Sequence, residues 1–144
     1  MHDRPTDRPL RVLIADDHPT NRAVIEVILS MIGADLLAVE DGAQALEAFR
    51  RGTFDVVLMD LQMPVMDGLT AIREIRRHEL TGAGRRTPIL AVTANAMGEH
   101  VAAALAAGAD RHIAKPVSPD LLLSAIAEAV DAAAPDANAA ACAG

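Results

Sequence analysis

From Leu10 onward the chain alternates short apolar runs with longer stretches of helical spacing. The runs are Leu10–Ala15, Asp35–Val39, Asp55–Met59, Ile89–Val92 and Arg111–Ala114. Short apolar runs that alternate with longer helical patterns predict βα units around a parallel sheet. The second run is the least strand-like, because Leu36-Leu37-Ala38-Val39 reads almost as well as helix.

Between the first two runs, Val24, Val27, Ile28, Met31 and Ile32 recur at helical spacing as one apolar stripe, opened by Pro19 and closed by Gly33. A second helix is predicted over 42–51 with Ala45, Leu46 and Phe49 inward, and a third over 68–79 with Leu69, Ile72 and Ile75 inward. The fourth, over 95–107, is Ala-rich and thinly packed. The fifth covers 119–133 with Leu121, Leu122, Ala125, Ile126, Ala129 and Val130 on one face and Ser118 as its N-cap. The pairs Arg76-Arg77 and Arg85-Arg86 read as solvated faces. Residues 9–133 therefore form one domain, flanked by segments 1–8 and 134–144 that offer little to bury and are expected to be disordered.

Composition narrows the function. Apolar residues make up 51% of the 144 and aromatics 1%, so the core is aliphatic and has no rings on which bases could stack. A net charge of −7 disfavours a phosphate-backbone binder and suits a cation or a basic partner surface. The one cysteine, Cys142, permits neither an internal disulfide nor a Cys-rich zinc site, and suits a reducing cytoplasm. No apolar run is long enough for a membrane span, so neither nucleic acid nor membrane is an expected direct partner.

Ligands of open α/β sheets bind beyond the carboxyl ends of the strands, near a topological switch point. Asp16 and Asp17 follow the first run, Asp60 the third, Thr93 the fourth and Lys115 the fifth, so separate loops deliver three carboxylates, a hydroxyl and an ammonium to one sheet edge. Carboxylates crowded together repel, and a hard divalent ion such as Mg2+, held through one or two of them, relieves the repulsion. One carboxylate is then left as a nucleophile toward phosphorus, with cationic and hydroxyl groups around the transferred oxygens. The chemistry predicted is phosphoryl transfer to an aspartate.

Asp16-Asp17, the stretch Asp60-Leu61-Gln62-Met63-Pro64-Val65-Met66-Asp67-Gly68, Thr93-Ala94 and Lys115-Pro116 together resemble the motifs of response-regulator receiver domains of two-component systems. Asp16-Asp17-His18-Pro19-Thr20-Asn21-Arg22 and Thr93-Ala94-Asn95-Ala96-Met97 resemble, more narrowly, the receivers of hybrid histidine kinases. The resemblance spans about residues 10–131 and implies a flavodoxin-like, CheY-like fold: five parallel strands in the order 2-1-3-4-5 with five flanking helices. It further implies that Asp60 accepts a phosphoryl group from a histidine kinase or histidine phosphotransfer protein. Asp16, Asp17, Asp60 and the Gln62 carbonyl would hold Mg2+, Lys115 would pair with a phosphoryl oxygen, and the Thr93 hydroxyl would move toward it.

Such a chain is a phosphoacceptor signalling domain, with Mg2+-dependent self-phosphorylation and autodephosphorylation, expected as a monomer or weak dimer that then acts on a downstream protein. Many receivers carry Tyr or Phe three residues before the lysine, where this chain has His112, so Thr93 and His112 are expected to form a weakly coupled or pH-sensitive switch. The five histidines show no metal-ligand spacing in sequence, although His18 beside Asp17 is worth testing. Two alternatives compete. A haloacid-dehalogenase-type phosphohydrolase would need its Asp-x-Asp after the first strand, where Asp16-Asp17-His18 stands, and Asp60-Leu61-Gln62 has Gln at the second acidic position. A non-phosphorylated scaffold module would not need the full set of polar groups.

Overall fold

The computed structural model describes residues 9–63, 65–82, 86–94, 98–115 and 117–133. Segments 1–8 and 134–144, Pro64, Pro116 and the Asn95–Met97 part of the fourth motif lie outside the described residues. In chain order the elements are β1 (Arg11–Ala15), α1 (Pro19–Ser30), β2 (Asp35–Val39), α2 (Gly42–Arg51), β3 (Val56–Asp60), α3 (Gly68–Thr81), β4 (Ile89–Thr93), α4 (Gly98–Ala107), β5 (Arg111–Ala114) and α5 (Pro119–Ala133). All pairings are parallel and the sheet order is β2-β1-β3-β4-β5, as the sequence pattern and the resemblance predict.

The apolar runs are continuous because the sheet is covered on both sides. Leu13, Ala15, Val57, Met59, Ile89 and Ala91 face one layer with Leu46 of α2, Ile72 and Ile75 of α3 and Ala104 of α4. Val12, Ile14, Val56, Leu58, Leu90, Val92 and Ile113 point the other way, onto Ile25, Ile28 and Leu29 of α1 and Leu122, Ile126 and Ala129 of α5. Alternate residues of each central strand thus enter two cores, so neither face can carry a polar residue before the strand ends. Each helix returns the chain from the carboxyl edge of the sheet to its amino edge, as a crossover between parallel strands must. The next strand therefore delivers its own end to the same rim.

Three expectations are corrected. On α1 the buried face is Ile25, Ile28 and Leu29, while Val24, Val27, Met31 and Ile32 are exposed. Both sets fit helical spacing because apolar residues surround most of this helix, and α1 ends at Ser30 before Met31 and Ile32. On α5, Leu121 is exposed and Leu122 takes the inward position. Arg76 is not on a solvated face. Its Nε donates to the Gly108 carbonyl at 2.9 Å, Nη1 to Glu79 Oε1 at 2.9 Å and to the Thr87 carbonyl at 2.8 Å, and Nη2 to Asp110 Oδ2 at 2.8 Å. Glu79 and Asp110 also accept the Thr87 and Ile89 amides at 2.8 Å, so one guanidinium ties α3 to the start of β4 and the turn before β5.

That hub sits at the amino edge of β4, and the planar fork of arginine is what lets one side chain serve four acceptors. Removing it takes the guanidinium from the half-buried Glu79 and from the Thr87 carbonyl, while Arg86 still reaches Asp110 and the Gly108 carbonyl. Arg76→Ala is expected to cost about 3 kcal/mol or more in chemical denaturation. Arg77→Ala, on the exposed neighbour, should stay within about 0.5 kcal/mol.

Candidate functional site

At the carboxyl edge, Asp60 is the last residue of β3 and Thr93 the last of β4, so each strand runs one position past its predicted end and includes the polar residue expected to follow it. Asp16 follows β1 and Lys115 follows β5. The order 2-1-3 makes the chain leave β1 in one direction and return to β3 on its other side, which opens the crevice between them. Metal-ligating atoms of Asp16, Asp17, His18 and Asp60 gather there within 4.8 Å of one another.

Asp16 and Asp60 are held in the same way. The His18 amide donates to Asp16 Oδ1 at 2.9 Å and the Gln62 amide to Asp60 Oδ1 at 3.2 Å, each carboxylate folding onto the backbone two residues ahead. One oxygen of each is thereby fixed. The other, Oδ2, is buried and makes no hydrogen bond, as is Asp17 Oδ1. Lys115 Nζ lies 3.3 Å from both Asp16 Oδ2 and Asp60 Oδ2. That is a charge contact longer than the roughly 2.7–2.9 Å of a directed ammonium–carboxylate hydrogen bond, so both oxygens keep capacity for a second cation.

Burial raises the Asp60 carboxyl above its ordinary value, the Gln62 amide pulls it back, the Asp16 charge raises it and Lys115 lowers it. A pocket with three orphaned carboxylate oxygens and a single neighbouring ammonium fits a hard divalent ion. The Lys115 amide donates to the Thr93 carbonyl at 2.8 Å, which fixes the two loops relative to each other, and Thr93 itself is buried. His112 is exposed on the edge strand β5, paired in register with Ala91.

The supporting loop depends on Gly68. A Cβ there would meet the Asp60 carbonyl at 2.2 Å and Leu61 Cα at 2.7 Å, and both contacts are backbone, which cannot swing aside. Its amide donates to the Leu61 carbonyl at 3.1 Å, while Asp67 caps α3 by accepting the Thr70 amide at 2.8 Å. Asp67 and Gly68 thus shape the turn into α3 through capping and close packing.

Two neighbours of the aspartates gain a definite place here, His18, which the sequence marked beside Asp17, and Arg22, which it did not assign to the site. His18 Nδ1 lies 3.0 Å from Asp17 Oδ1 and 3.7 Å from Asp16 Oδ1, a proximity that spacing among histidines alone could not reveal. Arg22, one turn into α1, donates from Nη1 to the Asp16 carbonyl at 2.7 Å and so braces the loop that carries both aspartates. Its place in the Asp16–Arg22 motif was the available signal.

Fold and crevice define a doubly wound α/β protein whose switch point is lined by carboxylates and one lysine. Residues 12–127 match the response regulator receiver domain, and the chain belongs to that family. The Pseudomonas protegens sensor histidine kinase GacS is 42% identical over 113 residues, a match covering 78% of this chain and 12% of that protein. The chain thus spans only a small part of the curated kinases it matches. The receiver domain of the Pseudomonas aeruginosa sensor histidine kinase PA1611, solved with a magnesium ion in its active site cleft, superposes with TM-score 0.78 and 37% identity over 86% of this chain and 99% of that one. The Saccharomyces cerevisiae receiver Ssk1, solved with the phosphotransfer protein Ypd1, gives TM-score 0.83 and 26% identity over 90% and 94%. The chain is a receiver of two-component phosphorelay signalling, similar to those of hybrid kinases.

The raised Asp60 carboxyl fixes the sign of a stability effect. Above the ordinary aspartate value of 3.8 the unfolded chain gives up this proton first, so the folded state binds more protons and stability falls as pH rises through the raised value. Without divalent ions, Asp60→Asn is expected to raise the thermal midpoint at neutral pH and to leave it nearly unchanged well below 3.8. Equal midpoints at both ends would show that Asp60 carries no desolvation burden.

Proposed function

We propose that Asp60 is the phosphoacceptor of this receiver and that Asp16, Asp17, Asp60 and the Gln62 carbonyl hold Mg2+ beside it. The observation that carries this is the buried Asp60 carboxylate, with Oδ1 fixed by the Gln62 amide and Oδ2 free of hydrogen bonds beside Lys115. A bound Mg2+ supplies positive charge to the phosphoryl oxygens and offsets the carboxylate excess. Asp60 Oδ2 attacks phosphorus as the bond to the partner's imidazole nitrogen breaks; that ring carries a proton on its other nitrogen, so the step leaves an acyl phosphate on Asp60 and a neutral imidazole on the partner. Lys115, already within 3.3 Å of that oxygen, stabilises the charge that gathers on the transferred group. The domain stores the phosphoryl group rather than turning over a substrate, and labels and unlabels itself slowly with small donors and water. A cytoplasmic setting agrees with the single cysteine.

The donor must bring its histidine to the crevice, and α1 starts directly after Asp17 and His18. Val24 and Val27 leave an exposed apolar surface on α1, the helix that starts at the site, and this surface suits a helical phosphotransfer partner. In this reading Asp60→Asn loses the hydroxylamine-sensitive label from acetyl phosphate and from a phosphorylated phosphotransfer domain alike. Val27→Asp keeps the acetyl phosphate label and slows the transfer by about tenfold. Wild-type labelling of Asp60→Asn would remove Asp60 from its role, and undiminished transfer to Val27→Asp would remove α1 from the docking face.

The switch reading assigns Thr93 to the phosphoryl group and His112 to the relay. An imidazole buried without a partner loses about 1–3 kcal/mol, so His112 moves inward on activation less readily than a tyrosine would. His112→Tyr should increase the gain in partner affinity produced by beryllofluoride; an equal gain in both proteins would leave His112 outside the switch.

A further inference from the structure

The metal pocket of this chain is not lined by oxygen alone. A ring nitrogen of His18 joins the three carboxylates within the 4.8 Å cluster, and its Nδ1 lies 3.0 Å from Asp17 Oδ1. Two donors bound cis to one ion at roughly 2.1 Å lie about 3.0 Å apart, so this separation is that of neighbouring ligands on an octahedral centre. The His18 amide is anchored on Asp16 Oδ1 at 2.9 Å, and its side chain, although it occupies the N-cap position of α1, makes no capping hydrogen bond. The imidazole sits at the rim, largely exposed, with Nδ1 turned toward the carboxylates. Behind it, Asp16 Oδ2 and Asp60 Oδ2 are buried, lack hydrogen bonds and face the same space.

We infer that His18 is a nitrogen ligand of this pocket, which therefore selects a transition-metal divalent ion such as Mn2+, Co2+ or Ni2+ over Mg2+. Mg2+ takes oxygen donors and parts with its water reluctantly, whereas imidazole nitrogen favours the later first-row ions. The same carboxylates serve either ion, and the imidazole adds to one of them only. The inference rests on reading the pocket as a metal site at all.

The test uses tag-free protein at a pH where imidazole is neutral, with Mg2+ and Ni2+ titrated calorimetrically into wild type, His18→Asn and Asp17→Asn. Nitrogen modulation in the pulsed electron paramagnetic resonance of bound Mn2+ is recorded alongside. His18→Asn is expected to bind Ni2+ about tenfold more weakly, to lose the nitrogen modulation and to keep its Mg2+ affinity. Asp17→Asn should weaken both ions, which separates this pocket from nickel bound by other histidines. Unchanged Ni2+ affinity in His18→Asn, or no nitrogen modulation in wild type, overturns the inference and reduces His18 to an ion-pair partner of Asp17. Failure of wild type to bind either ion overturns the metal reading beneath it.

Discussion

Three carboxylates share a crevice with one ammonium, and two of them, Asp16 and Asp60, are almost wholly removed from water. In a medium of low effective dielectric that imbalance is expensive, and Lys115, at 3.3 Å from an oxygen of each, relieves only part of it. The arrangement persists because the rest of the domain overdetermines it. Backbone amides of His18 and Gln62 hold one oxygen of each carboxylate, and Gly68 allows the following loop to lie against the Asp60 carbonyl. Arg22 braces the Asp16 backbone from α1. Stability is given up at this edge, and a cation or a phosphoryl group with its metal would recover it.

The opposite edge shows the contrary design. Arg76 meets two carboxylates and two carbonyls with short, directed hydrogen bonds, and the Gly108 backbone, at φ +125°, passes so close that a Cβ would lie 2.7 Å from Arg76 Cγ. A fully satisfied polar network rigidifies what it joins. The amino edge of β4 and β5 is thus anchored, while Lys115, just past the other end of β5, meets the charge-imbalanced crevice.

Much of this was legible in the residues. Strand runs bounded by helical spacing led to the sheet, and the polar groups at the run ends led to the crevice, because a strand buried on both faces can place a charge only where it stops. What periodicity could not choose was the buried face of α1, since Val24 and Val27 fit the helical repeat as well as Ile25 and Leu29 do. Nor could local sequence show that Arg76 reaches Asp110, 34 residues away, or that His18 turns toward its neighbouring carboxylates. Those contacts depend on which loops the topology brings together. Composition limited the function class, but the order and spacing of Asp16-Asp17, Asp60, Thr93 and Lys115 carried the reading.

If unrelieved negative charge at the crevice is the organising constraint, relief of that charge should be visible as stability. The direct measurement is the thermal midpoint of wild type and Asp60→Asn with Mg2+, with beryllofluoride, and with both. The account predicts that Mg2+ alone stabilises wild type, that beryllofluoride adds a further rise only when Mg2+ is present, and that Asp60→Asn loses this second rise. A beryllofluoride effect that is independent of Mg2+, or equally large in Asp60→Asn, would contradict it.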